Sequence, residues 1–223
     1  MNDDTLANSS EVPGISGKYL RVLGLAGVAA LGLALGTASA QTIVDEWVNV
    51  KTPPAPELKP VTVDPKTTAL LMLDFMIHNC GKRPRCIASL PAVRKFLDEA
   101  RAKGMPVVYA TVPKGNIADT LKEVAPTGSE PVVSSGPDKF MNTDLEKILK
   151  DKGIKSVITI GTAAHGAVLF TASAAGLRGW NVIVPVDGMS SDPYSEQYTA
   201  WHLANAPVLS ARVTLTKFDL VKF

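Results

Sequence analysis

Two rhythms of apolar residues alternate along the chain from residue 67 onward. The first is a short unbroken run: "TALLMLD" (68–74), "MPVVYAT" (105–111), "KSVITIG" (155–161), "NVIVPVD" (181–187) and a stretch near 211–216. Apolar runs of this length mark strands buried on both faces. The second rhythm places apolar residues three and four apart. In "SLPAVRKFLDEARAKG" (89–104), Val93, Phe96, Leu97 and Ala100 share a helical face, Pro91 suits a first turn and Gly104 an end. "NTDLEKILKDKG" (142–153) offers Asn142 or Thr143 as a cap and Gly153 as a stop. "GAVLFTASAAGLRG" (166–179) and residues 195–206 complete the helices, and the looser region 112–137 is expected to hold a short helix around 117–124.

Strands alternating with helices imply right-handed βαβ units. The expected fold is α/β, in three layers α/β/α, with a mostly parallel central sheet. Ligands of such sheets sit beyond the carboxyl ends of the strands, near the point where strand order reverses. That edge would collect Asp74, the turn after Thr111, the turn 161–166 and Asp187. No GxGxxG, Walker loop, GxSxG or internal repeat is present.

The first forty residues read differently. Lys18 and Arg21 precede the apolar run 22–35, and Ala38, Ser39 and Ala40 form a small-residue cleavage site. This is the layout of a secretory signal peptide, over 1–40. The run is shorter than the ~20 residues a bilayer span needs, although the long polar stretch before Lys18 leaves an uncleaved anchor as an alternative. Residues 41–66, with "TPPAPELKP", read as a proline-rich extended arm, and 67–223 as the folded domain. The product would be periplasmic or secreted, without stable membrane insertion after cleavage. A formal charge of +2, scattered rather than clustered, points to no nucleic-acid partner.

Export changes how Cys80 and Cys86 read. An oxidising compartment favours a disulfide between them; free thiols and a zinc site are the rivals, and two ligands with no further CxxC or HxxxH make zinc the weakest. Asp74, ending the first buried strand, is either a turn cap or a carboxyl whose burial fits it for proton transfer. The turn "GTAAHG" joins the most hydrophobic strand to an Ala- and Gly-rich helix; its small residues either permit tight packing or let backbone N–H groups approach an anion. His165 within it is a loop histidine able to hydrogen-bond a ligand.

The stretches "TALLMLD" and "FMNTDLEKILKDKGIKSVITIGTAAHGAVLFTASAAGLRGWNVIVPVDGMSS" resemble the isochorismatase-like hydrolase superfamily, often called cysteine hydrolases, over 63–216. The resemblance implies an aspartate after the first strand, a lysine ahead of the helix beginning F-x-x-T-x-L, and a cysteine opening the following helix. Asp74 fits the first. The cysteine falls on Ala167, which cannot be a nucleophile, and the lysine position falls on Ser134. Lys139, beside Phe140, is the nearest substitute, ahead of Lys114. The D-x-H-x-x-H metal motif of nicotinamidases is absent, so no metal or cofactor is expected. True isochorismatases are similar at this turn, G-V-Y-A-H and then a small residue in place of cysteine; Gly161, Ala164, His165 and Ala167 match. In that chemistry aspartate protonates a vinyl ether and water attacks, without a covalent nucleophile.

The resemblance thus implies a hydrolase of a small molecule, with Asp74 as acid or base, Lys139 supplying electrostatics, and Thr162, Ala163, His165, Gly166 and Ala167 as the binding turn. The alternative is a non-catalytic descendant that binds a small molecule or a protein. A disulfide-exchange role for the two cysteines, or either thiol standing in as nucleophile, is a lesser reading. Relatives are commonly homo-oligomers, which exposed Tyr198 and Trp201 permit.

Overall fold

The computed structural model describes residues 41–223. The expected leader and its anchor alternative, 1–40, lie outside the described residues. The chain divides into two units between Val50 and Lys51. In the described part of the first, α1 (Ile43–Glu46) is capped at Thr42, whose backbone N–H and hydroxyl both donate to the Asp45 carboxylate at 2.9 and 3.0 Å. Ile43, Val44, Trp47 and Val48 are exposed.

In the second unit, two short strands, β1 (Val61–Thr62) and β9 (Val221–Lys222), pair in parallel. The central sheet has seven strands: β2 (Thr68–Leu73), β3 (Val107–Thr111), β4 (Val132–Ser134), β5 (Ser156–Thr162), β6 (Asn181–Pro185), β7 (Met189–Ser190) and β8 (Val213–Thr216). Its order is β4-β3-β2-β5-β6-β8, with β7 added beside β5, and every pairing is parallel. The helices are α2 (Pro84–Ala102), α3 (Leu145–Asp151), α4 (Leu169–Leu177) and α5 (Pro193–Asn205). No helix among the described residues is long and apolar enough to cross a membrane.

Strand parity builds the two layers flanking the sheet. Ala69, Leu71 and Leu73 of β2 join Val108 and Ala110 of β3 in a core with α3, α4 and α5. Leu70 and Met72, with Val107, Tyr109, Ile158 and Ile160, face the other way, onto Val93, Phe96, Leu97 and Ala100 of α2. Side chains alternate at period two, so unbroken apolar runs are needed to supply both cores at once.

Several boundaries differ from the sequence reading. Helix α2 begins at Pro84, not near Ser89, and Pro91 lies inside it. The extra turn places Cys86, completely buried, on the helix, and Pro91 in the interior removes one backbone hydrogen bond that the helix tolerates. The expected short helix at 117–124 is two 3₁₀ turns, Ile117–Asp119 and Lys122–Val124. Strand β4 lies in the region read as loose. Val61 and Thr62 of the expected arm belong to the domain, where the Lys59 N–H also donates to the Leu215 carbonyl at 2.9 Å.

Candidate active site

The strand order reverses between β2 and β5: α2 carries the chain from β2 outward to β3, and α3 brings it back from β4 to β5. The carboxyl ends of these strands define the site. Parity would send residue 74 toward α2, with 70 and 72. Asp74 instead takes a left-handed backbone, φ 57°, which ends the alternation; aspartate tolerates this conformation better than most residues. Its carboxylate meets Lys139, whose Nζ donates to Oδ1 at 2.8 Å.

Lys139 is wholly buried and Asp74 is 4% exposed. The ammonium also donates to the Thr111 carbonyl at the end of β3 and the Ser135 carbonyl just past β4, each at 3.1 Å. Three strand ends therefore converge on one nitrogen and use its three protons. The Lys139 backbone N–H donates to Thr171 Oγ1 of α4 at 3.2 Å, which fixes the residue from its other side. Burial pushes the Asp74 carboxyl above its ordinary value of 3.8, and the Lys139 charge opposes that rise. Oδ2 of Asp74 accepts no hydrogen bond from any described residue.

The end of β5 lies against this pair. A Cβ at Gly161 would sit 2.2 Å from the Leu73 carbonyl oxygen, and its φ is 148°. Only glycine lets β5 approach β2 so closely, one residue from Asp74. The turn that follows contains a cis peptide between Thr162 and Ala163 and a π-helical stretch, Ala164–Val168, leading into α4. Ala167 is 3% exposed there. The N–H groups of Gly166 and Val168 donate to the Ala163 carbonyl at 3.0 and 3.4 Å, so those two donors are already engaged. Buried Thr162 donates its hydroxyl to the Ser190 carbonyl at 3.0 Å, and exposed His165 places Nδ1 3.2 Å from Ser191 Oγ.

The loop after Asp74 is closed by a Cys80–Cys86 disulfide, and no free cysteine remains among the described residues. Other candidates fall elsewhere. Ser134 is exposed and donates to the Val112 carbonyl, Lys114 is exposed, and Asp187 accepts the Phe218 N–H. A cavity of about 290 Å3 opens between the first turns of α2 and α5, lined by Arg85, Ser89, Asp187, Ser190 and Glu196 among others. It adjoins the turn through Ser190 but is not lined by Asp74 or Lys139. Sequence reasoning missed Asn79, whose Nδ2 donates to the Thr162 carbonyl of the turn, and Arg83, which donates to Asn79; Arg83 lies between the two cysteines, and that bracketing was the available signal.

Fold and site together define a doubly wound α/β protein with a buried carboxylate–ammonium pair at its switch point. The isochorismatase domain model matches residues 68–214, and the chain belongs to the isochorismatase family. The secreted isochorismatase effector Isc1 of Verticillium dahliae is 33% identical over 113 residues, which are 46% of this chain; the match spans 60% of that relative's length. N-carbamoylsarcosine amidase from Thermoplasma acidophilum superposes with a TM-score of 0.58 at 23% identity, covering 69% of this chain and 97% of that one. A cysteine hydrolase from Pseudomonas syringae pv. phaseolicola superposes at 0.63 and 17% identity, covering 74% and 94%. At such identities the superpositions establish the fold.

Proposed function

We propose that this chain is an exported hydrolase of a small molecule that uses Asp74 for acid–base chemistry without a cysteine nucleophile. The carrying observation is the Asp74 carboxyl: buried, its Oδ1 held by Lys139 and its Oδ2 without a partner among the described residues, with alanine at the position where the resemblance implies a thiol. A carboxyl group whose affinity for protons is raised by burial is suited to protonate an electron-rich carbon such as that of a vinyl ether. Water then attacks the oxocarbenium ion and its released proton returns to the carboxylate; the hemiketal so formed collapses, its ether C–O bond breaking to leave a carbonyl product and the alcohol, which takes up the hemiketal's hydroxyl proton. Lys139 stabilises the carboxylate left after proton transfer and holds it in place. Export is supported by the leader-like sequence, the disulfide and the secreted relative. The test is turnover of enol-ether, ester and amide substrates by Asp74→Asn, with circular dichroism as the folding control. Loss of at least about 100-fold is expected; turnover close to that of the parent would refute the reading.

A second reading, a non-catalytic binding module, draws on two observations. All three Lys139 protons are engaged, as in a purely structural ion pair, and the described cavity lies beside the turn rather than at the pair. Ligand-induced thermal stabilisation with no turnover of any substrate in the panel would favour it.

A further inference from the structure

Helix α2 and its entry carry four arginines: Arg83, Arg85, Arg94 and Arg101. Three of them are answered by acid. Arg85 pairs with Glu196 through two nitrogens, Arg94 with Asp98, and Arg101 with Glu130. Arg83 pairs with no carboxylate among the described residues. Its Nη1 donates to the Asn79 carbonyl at 2.9 Å and to the Asn79 side-chain oxygen, while Nε and Nη2 have no partner among those residues.

The position of this guanidinium follows from the chain around it. Arg83 lies inside the ring closed by the disulfide, whose two cysteines are completely buried. Its backbone N–H donates to the Cys80 carbonyl at 2.9 Å. Asn79, which holds the guanidinium, donates through Nδ2 to the Thr162 carbonyl at 3.4 Å. That carbonyl opens the turn carrying Ala167. Arg83 is thereby linked to the carboxyl ends of both strands that flank the switch point: to β2 through its own short loop, and to β5 through Asn79. Lys139 answers the Asp74 charge, so Arg83 is surplus positive charge at the same edge.

We propose that Arg83 anchors a carboxylate on the substrate, with one edge of the guanidinium fixed to Asn79 and the open edge, Nε and Nη2, presented as a fork to the two carboxylate oxygens. This deepens the proposed function, since it rests on the same site. The planar fork matches a carboxylate bidentately, which favours that anion over a lone halide and over a neutral amide. The disulfide, on this account, keeps the fork aimed at the turn.

Paired probes test it: cinnamate against cinnamamide, with inorganic phosphate as a non-planar anion, titrated calorimetrically into the protein with its disulfide intact. The parent is expected to bind cinnamate about tenfold or more tightly than the amide. Arg83→Gln should erase that preference, Arg83→Lys should retain part of it, and Asp74→Asn should retain it while turnover is lost. Binding of phosphate as tight as that of cinnamate would overturn the carboxylate assignment. Equal binding of cinnamate and cinnamamide by the parent, no binding of either, or a preference surviving in Arg83→Gln would overturn the anchor. A preference that depends on Arg83 with no turnover of any substrate would leave the anchor standing and refute the hydrolase instead; turnover by a parent that shows no preference would do the reverse.

Discussion

Replacing Lys139 with methionine keeps most of the apolar stem and removes the charge. In the parent the ammonium, at 0% exposure, donates to Asp74 Oδ1 at 2.8 Å and to the Thr111 and Ser135 carbonyls at 3.1 Å. Methionine donates to none of them, so one carboxylate oxygen and two carbonyls lose their donor together. Breaking a buried pair by deleting one partner costs about 3–5 kcal/mol, because the remaining charge stays buried without compensation. Against a typical domain stability of about 5–15 kcal/mol, that is a large fraction. The penalty should also depend on pH. Burial already raises the Asp74 carboxyl above 3.8, and Lys139 is the largest influence pulling it back, so Lys139→Met raises it further. Between 3.8 and the folded-state value, native Asp74 holds a proton that the unfolded chain has released. Stability then falls as pH rises, by up to about 1.4 kcal/mol per unit, until the folded-state value is passed. The parent leaves this window at a lower pH than the variant. The gap between the two proteins should therefore be smallest in acid, widen as pH rises, and level off once the variant's carboxyl has ionised. Urea denaturation at a series of pH values, with the disulfide intact, measures it. A penalty below about 1 kcal/mol at neutral pH, or one that does not shrink on acidification, would refute the account of a dry, mutually dependent pair.

Two further substitutions probe the frame around the pair. Cys80→Ala with Cys86→Ala opens a short ring and should lower stability by about 2 kcal/mol through the freedom returned to the unfolded chain; an unchanged denaturation midpoint under otherwise identical conditions would refute that account of the crosslink. Gly161→Ala places a methyl group 2.2 Å from the Leu73 carbonyl oxygen in a backbone conformation that favours glycine. Because the obstructing atom is strand backbone, it should destabilise by more than about 4 kcal/mol or prevent folding, and a well-folded variant of near-parental stability would contradict the close approach of β5 to β2.

How far the site could be read from sequence depended on whether local pattern carries the information. Asp74 was legible because an unbroken apolar run must end somewhere, and a carboxylate at the end of a doubly buried strand stands out against its neighbours. The turn around Ala167 was legible for the same reason, as the exit of the other most buried strand. Strand β4 was not: three residues with only Val133 buried give neither a run nor an alternation long enough to detect. That omission hid the geometry of Lys139. The resemblance implies a lysine where Ser134 stands, at the end of β4, whereas the ammonium that meets Asp74 sits on a residue after the connection that follows. The Ser135 carbonyl and the Thr171 hydroxyl hold Lys139 at its two ends, so the connection folds back and returns Nζ to the ends of β2 and β3. What physical chemistry requires is a positive charge within hydrogen-bond reach of Asp74 in a region closed to water, and several backbone routes satisfy that requirement. A motif records only one of them. Position along the chain is therefore a weaker constraint on this lysine than on Gly161, where the contact is made by the backbone itself and no rearrangement of side chains can substitute for the missing Cβ.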